Sequence, residues 1–180
     1  IDTINLNYNL TSDIFVYTNN TNMKTMNKLT NIGLEKQDSV EIADKLNELL
    51  ANYHIYYQNL RGFHWNIKGI HFFQLHAKYE ELYNNALTRI DALAERILTI
   101  GQKPLHSFSD YLRVSSIQEA TSLSGDRETV EATHQNLSVI VSLERDILAL
   151  AAERDDEGTV ALVSEDINEN EKTLWMLKAF

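Results

Sequence analysis

Downstream of about residue 38 the apolar positions recur at alternating steps of three and four, the period of helices that bury one face. The clearest stripe is Leu75, Tyr79, Leu82, Ala86, Ile90, Leu93 and Ile97. It predicts a helix from about Phe72 to Ile100, stopped by Gly101 with Pro104 beyond. Before it, Ile42, Leu46, Leu49, Tyr53, Tyr56, Leu60 and Phe63 predict a helix from about Ser39 to Phe63, capped by Asp38 or Ser39. The short connection Asn66–Ile70, with Gly69, makes these two helices antiparallel neighbours. Val130, Leu137, Ile140, Leu143, Ile147 and Leu150 predict a third long helix, about Asp126 to Arg154. A fourth is expected from about Thr159 to Ala179, with Trp175 packed in the core or at an interface. Residues 102–124 are too long for a bare loop, so one or two helical turns are expected at Ser109–Val114, with Tyr111 and Leu112 covering the bundle or a dimer contact. The pattern is all-α: a four-helix bundle with a short extra helix in the long crossover between helices two and three.

Residues 1–31 read differently. Asn and Thr dominate, and Leu6, Leu10, Ile14, Phe15 and Val16 keep no helical period. Residues 1–37 are expected to be a flexible or loosely docked arm and 38–180 the folded domain. Met23 and Met26 stand just before the composition changes, so the stretch to residue 22 is expected to include residues upstream of a natural start. The chain of 180 residues carries a net charge of −10 and no cysteine. It therefore has no disulfides and no thiolate metal ligands. No apolar run reaches the roughly eighteen residues of a membrane span, and no signal-peptide pattern is visible. A cytoplasmic location is expected, open to nucleoid association. The acidity and a thin basic patch in the arm (Lys24, Lys28, then Lys36) predict weak or absent direct binding to DNA.

Candidate chemistry concentrates between His64 and Glu95. His76 and Glu80 lie four apart on the predicted second helix, and Asp91 and Glu95 repeat that spacing further along. At about 100° per residue these four fall on one face about 100° wide. At about 1.5 Å per residue Glu80 and Asp91 stand roughly 16 Å apart along the axis. A metal–oxygen contact is only about 2 Å, and paired ions sit about 4 Å apart. One chain thus holds two half-sites, or a second copy completes each. A two-fold axis near Asn85, running two such helices antiparallel, would set His76 and Glu80 of one chain against Asp91 and Glu95 of the other. His64 would reach in from the end of the preceding helix. His71 is a weaker candidate, and His54 and His134 are not expected to be ligands. A di-iron site inside the bundle needs Glu-x-x-His on two helices of one chain, which this sequence does not supply.

The run H-W-N-I-K-G-x-x-F-F-x-L-H-x-K-Y-E-E-L-Y, followed by I-D-x-L-A-E-R and I-G, resembles the Dps family, the mini-ferritins. The resemblance covers most of the chain after about Asp38. It implies a ferritin-like bundle with a ferroxidase site at a subunit interface, of up to two iron ions. His64, His76, Asp91 and Glu95 match the family's ligands. Glu80 stands where the family usually has aspartate, so its arm is longer by one methylene. Trp65 matches a tryptophan common beside the site. The resemblance further implies a hollow homo-dodecamer that oxidises Fe(II), with hydrogen peroxide preferred, and stores the ferric mineral. Consuming both reagents would protect DNA without contact. Asp155, Asp156 and Glu157 can cap the fourth helix or ring a symmetry axis and draw cations inward; the resemblance assigns acids of this region to three-fold channels. Two other classes stay open: a DNA-compacting or structural shell with a degenerate metal site, and an oxygen-using ferritin with its site inside each bundle. A bundle centre without carboxylates would remove the second.

Overall fold

The structure, a computed structural model, describes residues 28–180. Five helices succeed one another: α1 (Lys36–Asn66), α2 (Phe72–Thr99), the short α3 (Phe108–Val114), α4 (Asp126–Glu153) and α5 (Glu157–Lys178). α1 packs against α2, and α4 packs against α5 and α1. The expected four-helix bundle with a short helix in its crossover is the observed fold. Most of the predicted arm, residues 1–27, lies outside the described residues. Its last part, residues 28–35, is docked: Leu29 and Glu35 form an antiparallel bridge, and Lys36 N–H donates to Lys28 O at 2.8 Å.

α2 buries all seven residues of its predicted stripe and leaves its other faces in water or half-covered. α1 is buried far more widely, because the helix pair and the crossover cover it from several sides. All seven of its stripe residues are in the core, joined by Leu50, Ala51 and Ile55. In α4, Leu143 and Leu150 are only partly covered, while Thr129, Thr133 and Glu144 are buried in their stead. Trp175 is exposed, so it is not a core residue. Tyr111 covers the bundle, stacked on His54 at 3.8 Å, whereas Leu112 is exposed. Burial lowers the His54 pKa to about 4.

Three asparagines of α1 lace the crossover down. Asn47 Oδ1 accepts from Leu105 N–H at 2.8 Å. Asn52 Oδ1 accepts from Ser116 and Ile117 N–H at 3.1 and 3.0 Å. Asn59 Oδ1 accepts from Ala120 N–H at 2.8 Å and its amide donates to Gln118 O at 2.9 Å. A segment with little helix of its own thus finds partners for its backbone groups on a helix surface.

The helix ends differ from expectation. α1 begins three residues before Ser39, with Glu35 as an N-cap that makes no side-chain cap bond. Asp38 and Ser39 therefore lie inside the helix, where the Ser39 hydroxyl donates to Lys36 O at 2.8 Å. α1 also continues past Phe63 to Asn66, so His64 and Trp65 belong to its last turn. α5 begins at Glu157, and Asp156 is its cap, accepting from Thr159 N–H at 3.1 Å and Thr159 O–H at 2.6 Å. Gly101, at φ +86°, closes α2 as its position predicts.

Candidate metal centre

The α1–α2 hairpin builds the first half of the site. The last turn of α1 and the first turns of α2 are joined by a reciprocal pair of hydrogen bonds. His64 Nδ1 donates to His76 O at 2.8 Å, and His76 Nδ1 donates to His64 O at 2.9 Å. The two rings stack, with centroids 3.8 Å apart and planes at 19°. A carbonyl oxygen can only accept, so Nδ1 of each ring carries the proton. In the neutral imidazole the lone pair is then on Nε2, the atom left for a metal. Neither ring needs an acidic residue to set its tautomer; the backbone of the other histidine does it.

Aromatic neighbours fix the pair further. Phe72 stacks on His76 at 5.2 Å. Tyr83 meets His64 edge-on at 5.4 Å. Burial first, and then the charge of Glu80, raise the Tyr83 pKa, so the phenol keeps its proton. Tyr57 packs edge-on against Tyr83 at 6.1 Å. The Arg61 guanidinium lies over both Tyr57 (5.3 Å) and Trp65 (4.6 Å). Trp65 itself is exposed beside the site. The sequence pattern alone does not single out Phe72, Tyr83 or Arg61 as site neighbours. Tyr83 stands three after Glu80 and seven after His76, a helical spacing that was readable.

The second half lies further along α2. Asp91 and Glu95 are exposed, and among the described residues neither carboxylate makes a hydrogen bond or ion pair. With helical register, His76, Glu80, Asp91 and Glu95 share a face about 100° wide with Phe73, Leu87 and Leu98. All three of these apolar side chains are exposed. Asn85, expected near the axis, is turned aside and donates to Glu169 at 3.3 Å. Among the described residues no three His, Asp or Glu side chains of one chain converge as a metal-binding group.

The remaining candidates have other partners or none. His71 Nδ1 is bound to Asp126 Oδ2 at 2.8 Å and its ring meets Phe180, apart from the histidine pair. The hydrogen bond from His71 leads the causes that lower the Asp126 pKa. One Glu-x-x-His does occur, Glu131 to His134; with His71 and Phe180 it lines an open cavity of about 530 Å³. Asp155 and Glu157 are exposed. Asp156 is buried, paired with Arg96 and occupied as the α5 cap. Of the acids between Glu144 and Glu171, Glu144, Asp156 and Asp166 are buried.

The bundle centre does hold carboxylates, contrary to the condition that would have removed an internal site outright. Glu144 Oε1 accepts from Tyr53 O–H at 2.8 Å and from the Asn170 amide at 2.9 Å. Asp166 Oδ1 lies 2.8 Å from an Arg89 guanidinium nitrogen. Burial, only partly offset by those hydrogen bonds, lifts the Glu144 pKa to about 7. Burial likewise lifts Asp166 to about 6 against the pull of Arg89.

Known proteins share this architecture. The family model described as "Ferritin-like domain" matches residues 43–180. A DNA protection during starvation protein of Porphyromonas gingivalis is 41% identical over 148 residues, covering 82% of this chain and 93% of its own. The crystal structure of a Dps protein from Vibrio cholerae superposes with a TM-score of 0.83 at 48% identity, covering 84% of this chain and 96% of that one. A Dps protein from Bacillus brevis superposes with a TM-score of 0.78 at 38% identity, covering 80% and 97%. With the helix order, the short crossover helix and the length of these matches in agreement, the chain belongs to the Dps family of the ferritin-like superfamily.

Proposed function

We propose that the five residues His64, His76, Glu80, Asp91 and Glu95 form a ferroxidase site shared across a two-fold dimer. Membership of the family makes the chain an iron-storing ferroxidase that protects DNA; the proposal adds the place and the manner. One observation supports it above the others. A histidine pair with both Nε2 atoms left free shares the α1–α2 hairpin with two exposed carboxylates that have no partner in their own chain among the described residues. Exposed acids ordinarily sit in water without consequence. Here they share a face with Phe73, Leu87 and Leu98, which a partner helix would cover.

Iron is the substrate. Imidazole and carboxylate bind Fe(II) reversibly, and the hard carboxylate oxygens favour the Fe(III) product. Two ferrous ions at one interface site give up one electron each to hydrogen peroxide. Its O–O bond breaks, both oxygens leave as oxide or hydroxide, and the ferric ions pass to the mineral. Taking both electrons at one place avoids release of hydroxyl radical. His64, His76 and Glu80 serve one side; Asp91 and Glu95 of a second copy serve the other. Two-fold dimers assembled into a hollow homo-dodecamer, in the cytoplasm, complete the proposal. No described helix is long and apolar enough to cross a membrane.

The test is anaerobic titration of Fe(II)-loaded protein with peroxide, beside the same protein given oxygen. Peroxide is expected to react faster, with about one consumed per two ferrous ions. Oxidation no faster than in protein-free buffer would sink the reading and favour a shell with a degenerate site. Duplex DNA is expected to show no salt-resistant complex, with or without a chelator, given the net charge of −10. A submicromolar complex that survives physiological salt would overturn that part.

A further inference from the structure

We propose that the bundle centre is a second cation site whose resident is the chain's own Arg89 guanidinium, and that Arg89 is what keeps divalent metal out of the bundle. Each of the four long helices contributes to this centre: Tyr53 from α1, Arg89 from α2, Glu144 from α4, and Asp166 with Asn170 from α5. Glu144 is 0% exposed and Asp166 1%.

The hydrogen bonding at this centre is incomplete in one direction only. Glu144 Oε1 has two donors, but Glu144 Oε2 has none. Both Asp166 oxygens lack a hydrogen bond, and the 2.8 Å contact to Arg89 is an ion pair not aligned as one. Buried carboxylate oxygens without donors are costly unless a positive charge faces them. Two such groups face a single guanidinium, so the pocket is short of positive charge, not of acceptors.

Arg89 enters from the edge of the bundle. One guanidinium nitrogen meets Asp166 and another donates to Glu169 on the outside at 2.9 Å, with Asn85 also donating to Glu169. The guanidinium therefore stands between solvent and the two buried acids. Among the described residues only two acids, Glu144 and Asp166, meet there, and no third acid or histidine joins them. Remove the guanidinium, and the Glu144 and Asp166 carboxyl groups and the Tyr53 oxygen surround a vacated space beside Glu169, in which a divalent ion would have to displace the protons of the two acids. The carboxyl and Tyr53 oxygens are hard donors that suit a divalent ion such as Mn²⁺, with water completing its shell.

The bundle centre shares no residue with the interface site, so one background separates the two. The assembled protein is prepared with His64→Ala/His76→Ala, which disables the interface half-site and leaves the bundle centre untouched. Mn²⁺ binding is followed by loss of the free-ion electron paramagnetic resonance signal. Adding Arg89→Ala is expected to bring about one further Mn²⁺ per subunit and to make the thermal midpoint rise with Mn²⁺. Adding Glu144→Gln/Asp166→Asn to that protein should abolish both effects. Arg89→Lys should stay closed, because the ammonium still supplies the charge. Folded Arg89→Ala protein with no extra Mn²⁺, or uptake that survives Glu144→Gln/Asp166→Asn, would overturn the proposal. Failure of Arg89→Ala to fold at any Mn²⁺ concentration would also overturn it, since an emptied cation site should accept another cation.

Discussion

Two groups of charged side chains on one helix, α2, behave oppositely. On its outer face, Asp91 and Glu95 are exposed and unpaired among the described residues, and the neighbouring histidines present free Nε2 atoms. On its inner edge, Arg89 points at two carboxylates that are buried and incompletely satisfied. The outer carboxylates lose little by waiting in water, so they remain available to a metal. The inner ones cannot wait uncompensated, and the chain supplies a permanent cation. Availability of ligands follows from solvation: the part of the protein rich in donors but closed is the core, and the part open to chemistry is the surface that a second copy would cover.

The largest effect is expected at His76. His76→Ala removes one Nε2 and also the Nδ1–H that holds the His64 carbonyl, so both halves of the stacked pair loosen. Initial peroxide-driven Fe(II) oxidation should fall by about a hundredfold, while the apolar stripe of α2 keeps the helix folded and assembled. Stopped-flow absorbance and gel filtration read the two outcomes. Unchanged kinetics at two Fe(II) per site would remove His76 from the site.

A smaller effect sharpens the other side. Glu144 has a folded-state pKa raised to about 7 from 4.5, through burial above all. A raised carboxyl favours folding when protonated. Its contribution is therefore whole below about pH 4.5 and is lost as pH climbs to about 7. Glu144→Gln makes that neutral state permanent. The substitution should raise the thermal midpoint by several degrees at about pH 8 and by about nothing at about pH 4.5. A shift of equal size at both values would mean that Glu144 is fully compensated where it stands.

The shared face of His76, Glu80, Asp91 and Glu95 on α2 was readable because helical periodicity sets it. Residues 75–97 of α2 bury every apolar position of the stripe, and that burial orients His76, Glu80, Asp91 and Glu95 together. The reciprocal histidine bonds were not readable, since they depend on α1 continuing to Asn66 and on two carbonyls meeting across a hairpin. The N-terminal end of α1 was misplaced because its start rests on backbone bonds at Glu35, not on the capping residues offered by Asp38 and Ser39. The bundle centre carries a signal in the sequence. Glu144 stands four after Ile140 and three before Ile147, in the middle of an apolar register. Asp166 stands three after Val163 in the same way. A charge at such a position announces a buried partner, but only the fold names it as Arg89.

The central claim, that the site is completed by a second copy, is tested most directly by mixing two disabled proteins. Asp91→Ala/Glu95→Ala subunits and His64→Ala/His76→Ala subunits should each be inactive when pure. Dissociated and reassembled together, a mixed dimer holds one whole site and one with neither half. With random pairing, half the dimers are mixed, so about a quarter of the wild-type peroxide-driven Fe(II) oxidation should return. That recovery is the predicted result; no recovery in verified mixed dimers would contradict a site shared across the two-fold.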